Sequence, residues 1–480
     1  MVTTGIPNAI VTGLVTGSIV AMGAIGLALV YSIAEVPNFA HGELLTLGAF
    51  MALFVNKPGN TPIFSLVSTD VQALTGVGLV LLFLLGAGCT LGIVYLIGGV
   101  RALKGGWWPT EPPPLVGMVT HLIMAAIVGA IVVVGYPSIW AGLLLATVIV
   151  GVVAPVTERV VFRNFREDGA SLATMLIVAL GVSLILRFGI QAIYGGAARN
   201  YDLPPTQEII GTEQYITAAK FFDFYLSGNG VVLQIIDTGP PNNPVVSTAA
   251  YSWPIVAVVT VGALVLAYGT YRLRKRAAGG FEAALTLSPR ISGAFVGVIG
   301  FGVLWFLLGR PAALPDSWGY ATRLRLFPIK TLIVLIAVLM FATLHVLLQE
   351  TKLGTAMRAS SDNLDLAKVT GINTARVMMA TWIIAGLFAG IAGVMLALTL
   401  SRVQVNMGFF LLLPMFAAVI LGGIRSIYGV IIGSFVVGLA MDVGFTVLPV
   451  GNQYRVPLAF VVLFIVLLVK PEGIVGGGGS

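Results

Sequence analysis

The sequence predicts an all-α fold, a polytopic helical membrane protein of about 11–13 transmembrane segments, some of them short or broken. Three observations lead there. Of the 480 residues, 58% are hydrophobic and 9% are charged, whereas a soluble globular domain carries about 25% charged residues. So few charges cannot cover the surface of a water-soluble fold of this size. The apolar residues fall in long runs, and the mean hydropathy is +1.01. The 59 glycines sit singly inside those runs, where small residues let helix backbones approach closely. Disordered and collagenous chains are excluded by the low polar content, and a disulfide scaffold by the single cysteine, Cys89.

A helix needs about 20 apolar residues to cross roughly 30 Å of hydrocarbon. The first such run, 7–31, has no basic region before it and is longer than the apolar core of a signal peptide, so it reads as a retained helix. A shorter run at 43–55 suits half a membrane or a tilted crossing. Full-length runs follow at 75–99, 113–135, 137–157 and 172–195. The stretch 196–249, with Pro204, Pro205, Pro240, Pro241 and Pro244, is expected to be an external loop or small cap. Within it, EQYITAAKFFDFYL reads equally as an amphipathic surface helix or as an ordered loop. Further runs occupy 250–270, 291–308, 326–349, 376–398, 428–446 and 454–469, with a second short one at 410–423. Residues 475–480 read as an engineered linker remnant.

Lysine and arginine in short loops set orientation. The loops at 158–171 (Arg159, Arg163, Arg166), 271–290 (Arg272, Arg274, Lys275, Arg276, Arg290) and 350–376 (Lys352, Arg358, Lys368, Arg376) share one side if both short runs cross. That side is expected to be cytoplasmic. The N-terminus then lies outside and the C-terminus inside a cell membrane, plasma or bacterial inner. Against this stands 309–325, an outside loop with Arg310, Arg323 and Arg325, of which Asp316 offsets one. The net charge of +7 points to anionic lipid and not to nucleic acid.

No GxxxxGK[ST], HExxH or CxxC motif occurs, so the chain has no phosphate-cradling loop of its own. With three histidines (His41, His121, His345) and one cysteine, no metal site is expected. His121 and His345 read as packing or helix-to-helix hydrogen-bonding residues. Ion-driven transporters place acids or histidines in the bilayer interior. Asp442 is the clearest such acid late in the chain, and little else serves ion coupling. The chain is therefore not expected to be an enzyme, and its driving force is expected from another subunit.

Two segments break the apolar pattern. In AEVPNFAHGELLTLGAF, residues 34–50, Pro37 interrupts the helix and Asn38, His41, Gly42 and Glu43 follow. Such a break at membrane depth needs cover by protein or a water-filled path, and it aims polar groups or a helix N-terminus along that path. An interfacial turn with Asn38 and Glu43 as caps fits as well. In TKLGTAMRASSDNLDLAKVTGINTARV, residues 351–377, a short helix before Gly371 is either a lever that plugs into a partner or a solvated loop helix.

At these places the sequence resembles the LivH-type membrane permease subunit of branched-chain amino acid ABC importers. NFAHGE (38–43) with Leu47-Gly48-Ala49, LGTAMRA (353–359), Gly371-Ile372-Asn373-Thr374, and VILGG (419–423) with Ser426, Ile427, Gly429 and Gly433 match that family in order. Lys470-Pro471-Glu472-Gly473-Ile474 resembles its C-terminal end. The resemblance implies a permease half that works with two ATP-binding subunits, which bind the ATP and Mg. It also implies a second related permease or a second copy of this chain, and an external solute-binding protein. This chain itself would bind no cofactor. Arg358, Asp365, Ala367, Gly371 and Ile372 would couple to the ATPase, with Asp365 and Leu366 departing from the family's Glu-Ala. Asn38, His41, Gly42 and Glu43 would lie by the substrate path, and Gly422, Gly423, Gly429 and Gly433 would serve gating or close helix packing. Arg425 and Tyr428 depart from the family's usual small residues or proline.

The organisation expected is then 1–55, N-terminal helices; 56–135, added membrane segments; 136–203, permease core; 204–325, external loop and added segments; and 326–474, C-terminal core with the coupling loop 351–377. Substrates would be branched-chain or related amino acids, moved by alternating access. The alternative is a self-contained secondary transporter or channel for small polar solutes.

Overall fold

The computed structural model describes residues 5–34, 38–61, 74, 76–103, 114–203, 207–209, 212–214, 220–237, 245–277, 310–311, 320–424, 426–448, 454–469 and 473–474, with scattered helical residues between 296 and 308. Two compact units result: Met1–Asn8 with Ala218–Pro328, and Ala9–Thr217 with Ile329–Ser480.

The larger unit is a helical bundle. Its helices are α1 (Gly5–Ala34, from Ala9 onward), α2 (His41–Asn56), α3 (Val77–Leu103), α4 (Pro114–Val134), α5 (Ile139–Thr157), α6 (Arg163–Glu167) and α7 (Leu172–Tyr194). After the second strip of sequence come α9 (Pro328–Glu350, from Ile329 onward), α10 (Lys352–Asp362), α11 (Leu364–Val369), α12 (Thr374–Leu400), α13 (Met407–Gly422), α14 (Ile427–Val447) and α15 (Arg455–Val469). A helix satisfies its own backbone groups, which hydrocarbon cannot do. Across the described residues, nine helices are long and apolar enough to cross a membrane, and α13 and α15 are shorter apolar helices. Most of the expected span 291–308 lies outside the described residues.

Burial separates centre from periphery. The apolar windows of α1 and α12 are 94% and 78% buried, whereas those of α3 and α4 are 17% and 28% buried and turn their leucines and valines outward. Helices α3 and α4 thus lie at the periphery, packed on each other and on α5. Side-chain caps start several helices: Ser138 Oγ accepts from the N–H groups of Trp140 and Ala141 at 3.2 and 3.3 Å, and Ser171 Oγ from Thr174 at 3.2 Å. Between α5 and α6 the chain makes one π-helical turn, Glu158–Phe162, where the buried Glu158 pairs with Arg166. The two histidines of the spans are hydrogen-bonded. His121 Nδ1 lies 2.7 Å from Gly117 O on its own helix, and His345 Nδ1 lies 2.7 Å from Tyr428 Oη, joining α9 to α14.

The late glycines make close backbone contacts. A Cβ on Gly429 would overlap the carbonyl of Gly422, and one on Gly433 would sit 2.9 Å from Gly422 N, so α13 and α14 touch along their backbones. Gly423 ends α13, and Gly473 closes against it while Ile474 N–H donates to Leu421 O at 2.8 Å. Arg425 and Lys470–Glu472 lie outside the described residues. Gly429→Val is expected to destabilise the bundle by about 1–3 kcal/mol through overpacking, and a lowered midpoint of thermal unfolding in detergent checks it. An unchanged midpoint would mean that the α13–α14 contact is not this tight.

The smaller unit corrects one part of the expectation, the reading of EQYITAAKFFDFYL as a surface helix or an ordered loop. Instead of a surface helix, the segment Lys220–Ser227 is strand β3 of a five-stranded antiparallel sheet ordered β6-β5-β4-β3-β7. Its strands are β3, β4 (Gly230–Asp237), β5 (Val245–Ser252), β6 (Arg310–Pro311) and β7 (Tyr320–Leu326). Helix α8 (Trp253–Ala277) follows β5. In the larger unit, β1 (Gln207–Ile209) and β2 (Thr212–Gln214) form a two-stranded ladder. The aromatic run Phe-Phe-Asp-Phe-Tyr ends at Ser227-Gly-Asn-Gly230, a turn signal between strand-forming stretches. Ser227 Oγ accepts from the N–H groups of Asn229 and Gly230, both at 3.2 Å, and fixes that hairpin. Arg325 Nε and Nη2 donate to the buried Asp223 carboxylate at 2.9 and 3.0 Å. Arg325 of the 309–325 loop is therefore paired with Asp223; Asp316 lies outside the described residues.

Candidate functional site

Pro37 falls outside the described residues, but the chain on either side of it shows what the interruption does. Helix α1 ends at Ala34 and α2 begins at His41. Asn38 Oδ1 accepts the Ala40 N–H at 3.0 Å, which forms a side-chain turn ahead of the helix. Ala40 stands at the N-cap of α2 and supplies no side-chain bond. Neither Asn38 nor Glu43 supplies a side-chain cap to α2.

The polar side chains of the segment are instead drawn into the bundle. Asn38, His41 and Glu43 are 1%, 0% and 0% exposed. His41 Nε2 lies 2.9 Å from Gly23 O on α1. A carbonyl partner places the proton on Nε2, so Nδ1 is an acceptor. Glu43 Oε1 accepts from Arg187 Nε on α7 at 2.9 Å, from Arg187 Nη2, and from Ser183 Oγ at 3.4 Å. The Arg187 guanidinium lies 4.1 Å from the ring centroid of Phe409 on α13, within cation–π range. One glutamate thereby ties α2, α7 and α13 together.

Gly42 permits the close approach that makes this possible. A Cβ there would sit 2.7 Å from Gly408 O, and Thr46 Oγ1 accepts the Gly408 N–H at 3.1 Å. Three polar atoms of this segment stay without a hydrogen-bond partner among the described residues: Asn38 Nδ2, His41 Nδ1 and Glu43 Oε2. Buried polar atoms are rarely left so. A donor and two acceptors, one of them carrying negative charge, are thus held on the broken segment.

Asp442 behaves differently. It is 5% exposed, Thr16 Oγ1 donates to its Oδ2 at 2.6 Å, and Arg455 pairs with its Oδ1. Both carboxylate oxygens are engaged, as in a structural pair.

The segment 351–377 folds as two short helices and a turn. Thr351 caps α10 through Gly354 N–H at 3.0 Å, Asn363 caps α11 through Leu366 N–H at 2.9 Å, and Asn373 caps α12 through Arg376 N–H at 3.1 Å. Asp365 stands in the first turn of α11 and Lys368 in the last, with 3.2 Å between them, each suited to its end of the helix dipole. Gly371 has φ +87°, Ile372 N–H donates to Ala367 O at 3.0 Å and Gly371 N–H to Lys368 O at 3.1 Å. This is the Schellman closure of a helix. Ala367 is buried and Ile372 packs on the core, while Arg358 is exposed and donates to Gln349 Oε1 at 2.8 Å. Leu366 and Val369 are 58% and 81% exposed. The expected coupling residues thus divide: Ala367 and Ile372 anchor the helix, and Asp365 lies on its outer side.

Sequence reasoning missed Arg187, Ser183, Thr46 and Phe409. Arg187 carried a readable signal, a lone arginine inside an apolar span. Its partner is 144 residues away in sequence, which no local spacing reveals.

Residues 116–468 match the protein family described as branched-chain amino acid transport system, permease component. The chain belongs to this family. The match contains the 351–377 segment and starts after 38–43. The chain is similar to the high-affinity branched-chain amino acid transport system permease protein LivH of Escherichia coli K12, with 34% identity over 142 residues, 30% of this chain and 46% of that protein. The probable LivH permease of Methanocaldococcus jannaschii is 32% identical over 152 residues, 29% of this chain and 46% of that protein. The ribose import permease RbsC of Escherichia coli K12 is 28% identical over 171 residues, 34% and 48% of the two chains. The chain spans about half the length of the curated relatives it matches. No solved structure matches. The family and the nine apolar helices make this a multi-pass membrane permease component.

Proposed function

We propose that this chain is the membrane half of an ATP-driven importer for branched-chain or related amino acids. It works by alternating access, with separate ATPase subunits acting through 351–377. The observation that carries this reading is α11, a rigidly capped helix on a glycine turn that leaves two large apolar side chains, Leu366 and Val369, exposed beside Asp365. Such a projection suits a groove on a partner. The similarity to LivH supports the substrate class.

On the path, a zwitterion needs acceptors for its ammonium and donors for its carboxylate. Glu43 Oε2 and His41 Nδ1 supply the first and Asn38 Nδ2 the second. The 351–377 face is cytoplasmic, and a solute-binding protein docks on the opposite side. The second permease is a related chain or another copy of this one. ATP and Mg bind to the partner ATPases, and this chain contributes no catalytic group. The test is co-purification with the ATP-binding subunits, followed by uptake of labelled leucine that requires both ATP and the binding protein. Uptake by this chain alone, driven by an ion gradient, would favour the secondary-transporter alternative.

A further inference from the structure

A cavity of about 620 Å³ opens beside α11, and its charge is unbalanced. It is bounded by the end of α3, by the π-helical turn with α6, and by α11 with the start of α12. Five basic side chains line it, Arg159, Arg163, Arg166, Lys368 and Arg376, against two acidic ones, Glu158 and Glu167. Three of the cations are already matched. Arg163 pairs with Glu167 at 2.8 Å, Arg166 with Glu158, and Lys368 with Asp365 at 3.2 Å. Arg159 and Arg376 have no ion-pair partner among the described residues. They come from two different walls, the π-helical turn and the N-terminal turn of α12.

Polar Tyr95, Asn373 and Thr374 also line it. Leu96, Ile97, Met378 and Met379 contribute apolar surface. The α3 wall breaks at Gly98 and Gly99, where Gly99 has φ +63° and ψ −152°, a conformation essentially confined to glycine. The break lies in the part of α3 that lines the cavity. A π-helical turn, which often marks functional sites, builds the opposite wall. Basic side chains over an apolar wall at the end of membrane helices match a phosphate group carried on a lipid.

We infer that this cavity binds a phosphate-type anion, with the headgroup of an anionic phospholipid as its source. The bound anion bridges Arg159 and Arg376 and so ties the π-helical turn to the start of α12, next to α11. The inference rests on the proposed importer only for the side of the membrane involved, and binding in detergent reads it out without any transport.

The experiment follows thermal unfolding of the purified full chain in a neutral detergent. It is titrated separately with phosphatidylglycerol, phosphatidylcholine and inorganic phosphate. Phosphatidylglycerol is expected to raise the midpoint and phosphatidylcholine to leave it unchanged. A rise with inorganic phosphate as well would support the anion site and assign its occupant to solution. Arg159→Gln/Arg376→Gln should weaken the apparent affinity about thirtyfold. Arg159→Lys/Arg376→Lys should restore most of it, and Arg402→Gln at the other end of α12 should change nothing. No response to either phosphate source, or an undiminished response in the glutamine pair, overturns the inference. Loss of ATPase co-purification in the glutamine pair without any response to phosphate would assign the cavity to a protein contact instead, and also overturns it.

Discussion

Arg187→Met is expected to abolish uptake and to destabilise the bundle by about 3–5 kcal/mol, because it leaves the Glu43 carboxylate buried without its cation. Glu43 is 0% exposed, and with Arg187 gone only Ser183 remains to donate to it. The midpoint of thermal unfolding in detergent reads the stability, and labelled-leucine uptake reads the function. A second variant separates structure from transport. Glu43→Leu/Arg187→Met replaces the pair with apolar side chains, which is often neutral or stabilising for a buried ion pair. Recovered stability with no uptake would assign Glu43 to the substrate path. Recovered stability with normal uptake would reduce the pair to a fastening of α2 to α7.

Gly371→Val is expected to cut ATP-driven uptake at least tenfold while the bundle remains folded. At φ +87° a β-branched residue is strained by about 1–3 kcal/mol, and the Schellman closure that holds α11 opens. A Cβ at this position would meet nothing within 4 Å, so the strain is confined to the turn and the packing of the bundle is untouched. Gly371→Asn is the control, since asparagine tolerates the left-handed conformation, and it should keep most of the activity. The readouts are uptake and the unfolding midpoint, taken together. Equal uptake by the valine and asparagine variants would remove the turn from the coupling mechanism.

The parts legible in the sequence were those written in local pattern. Long apolar runs marked α1, α3–α5, α7, α9, α12 and α14, and Ser138, Ser171, Asn363 and Asn373 stand where helix caps are expected. The break before His41 and the turn at Gly371 were legible from proline, glycine and the sudden polar residues. The sheet was not, although Ser227-Gly228-Asn229-Gly230 announces its hairpin. The alanines and lysine before Phe221 resemble an amphipathic helix, and the strand is held by pairing with the adjacent Gly230–Asp237 on one side and with Tyr320–Leu326, about a hundred residues on, on the other. The site divides in the same way. Asn38, His41, Gly42 and Glu43 were readable because they cluster. Arg187 and Phe409 were not, because the fold alone joins α7 and α13 to α2. Glu43 and Asp442 look alike in sequence as acids within apolar surroundings, and only their partners distinguish them. Asp442 has both oxygens engaged, while Glu43 holds one oxygen in reserve.

In the proposed mechanism this bundle provides a route through the bilayer while partners acting on its 351–377 segment do the work. Proteoliposomes test it most directly, one set holding the chain alone and another holding it assembled with its ATPases, both with binding protein and labelled leucine outside. Concentrative uptake is expected only in the assembled vesicles, and only with ATP on the ATPase side. Accumulation against a gradient in vesicles that hold the chain alone would contradict it.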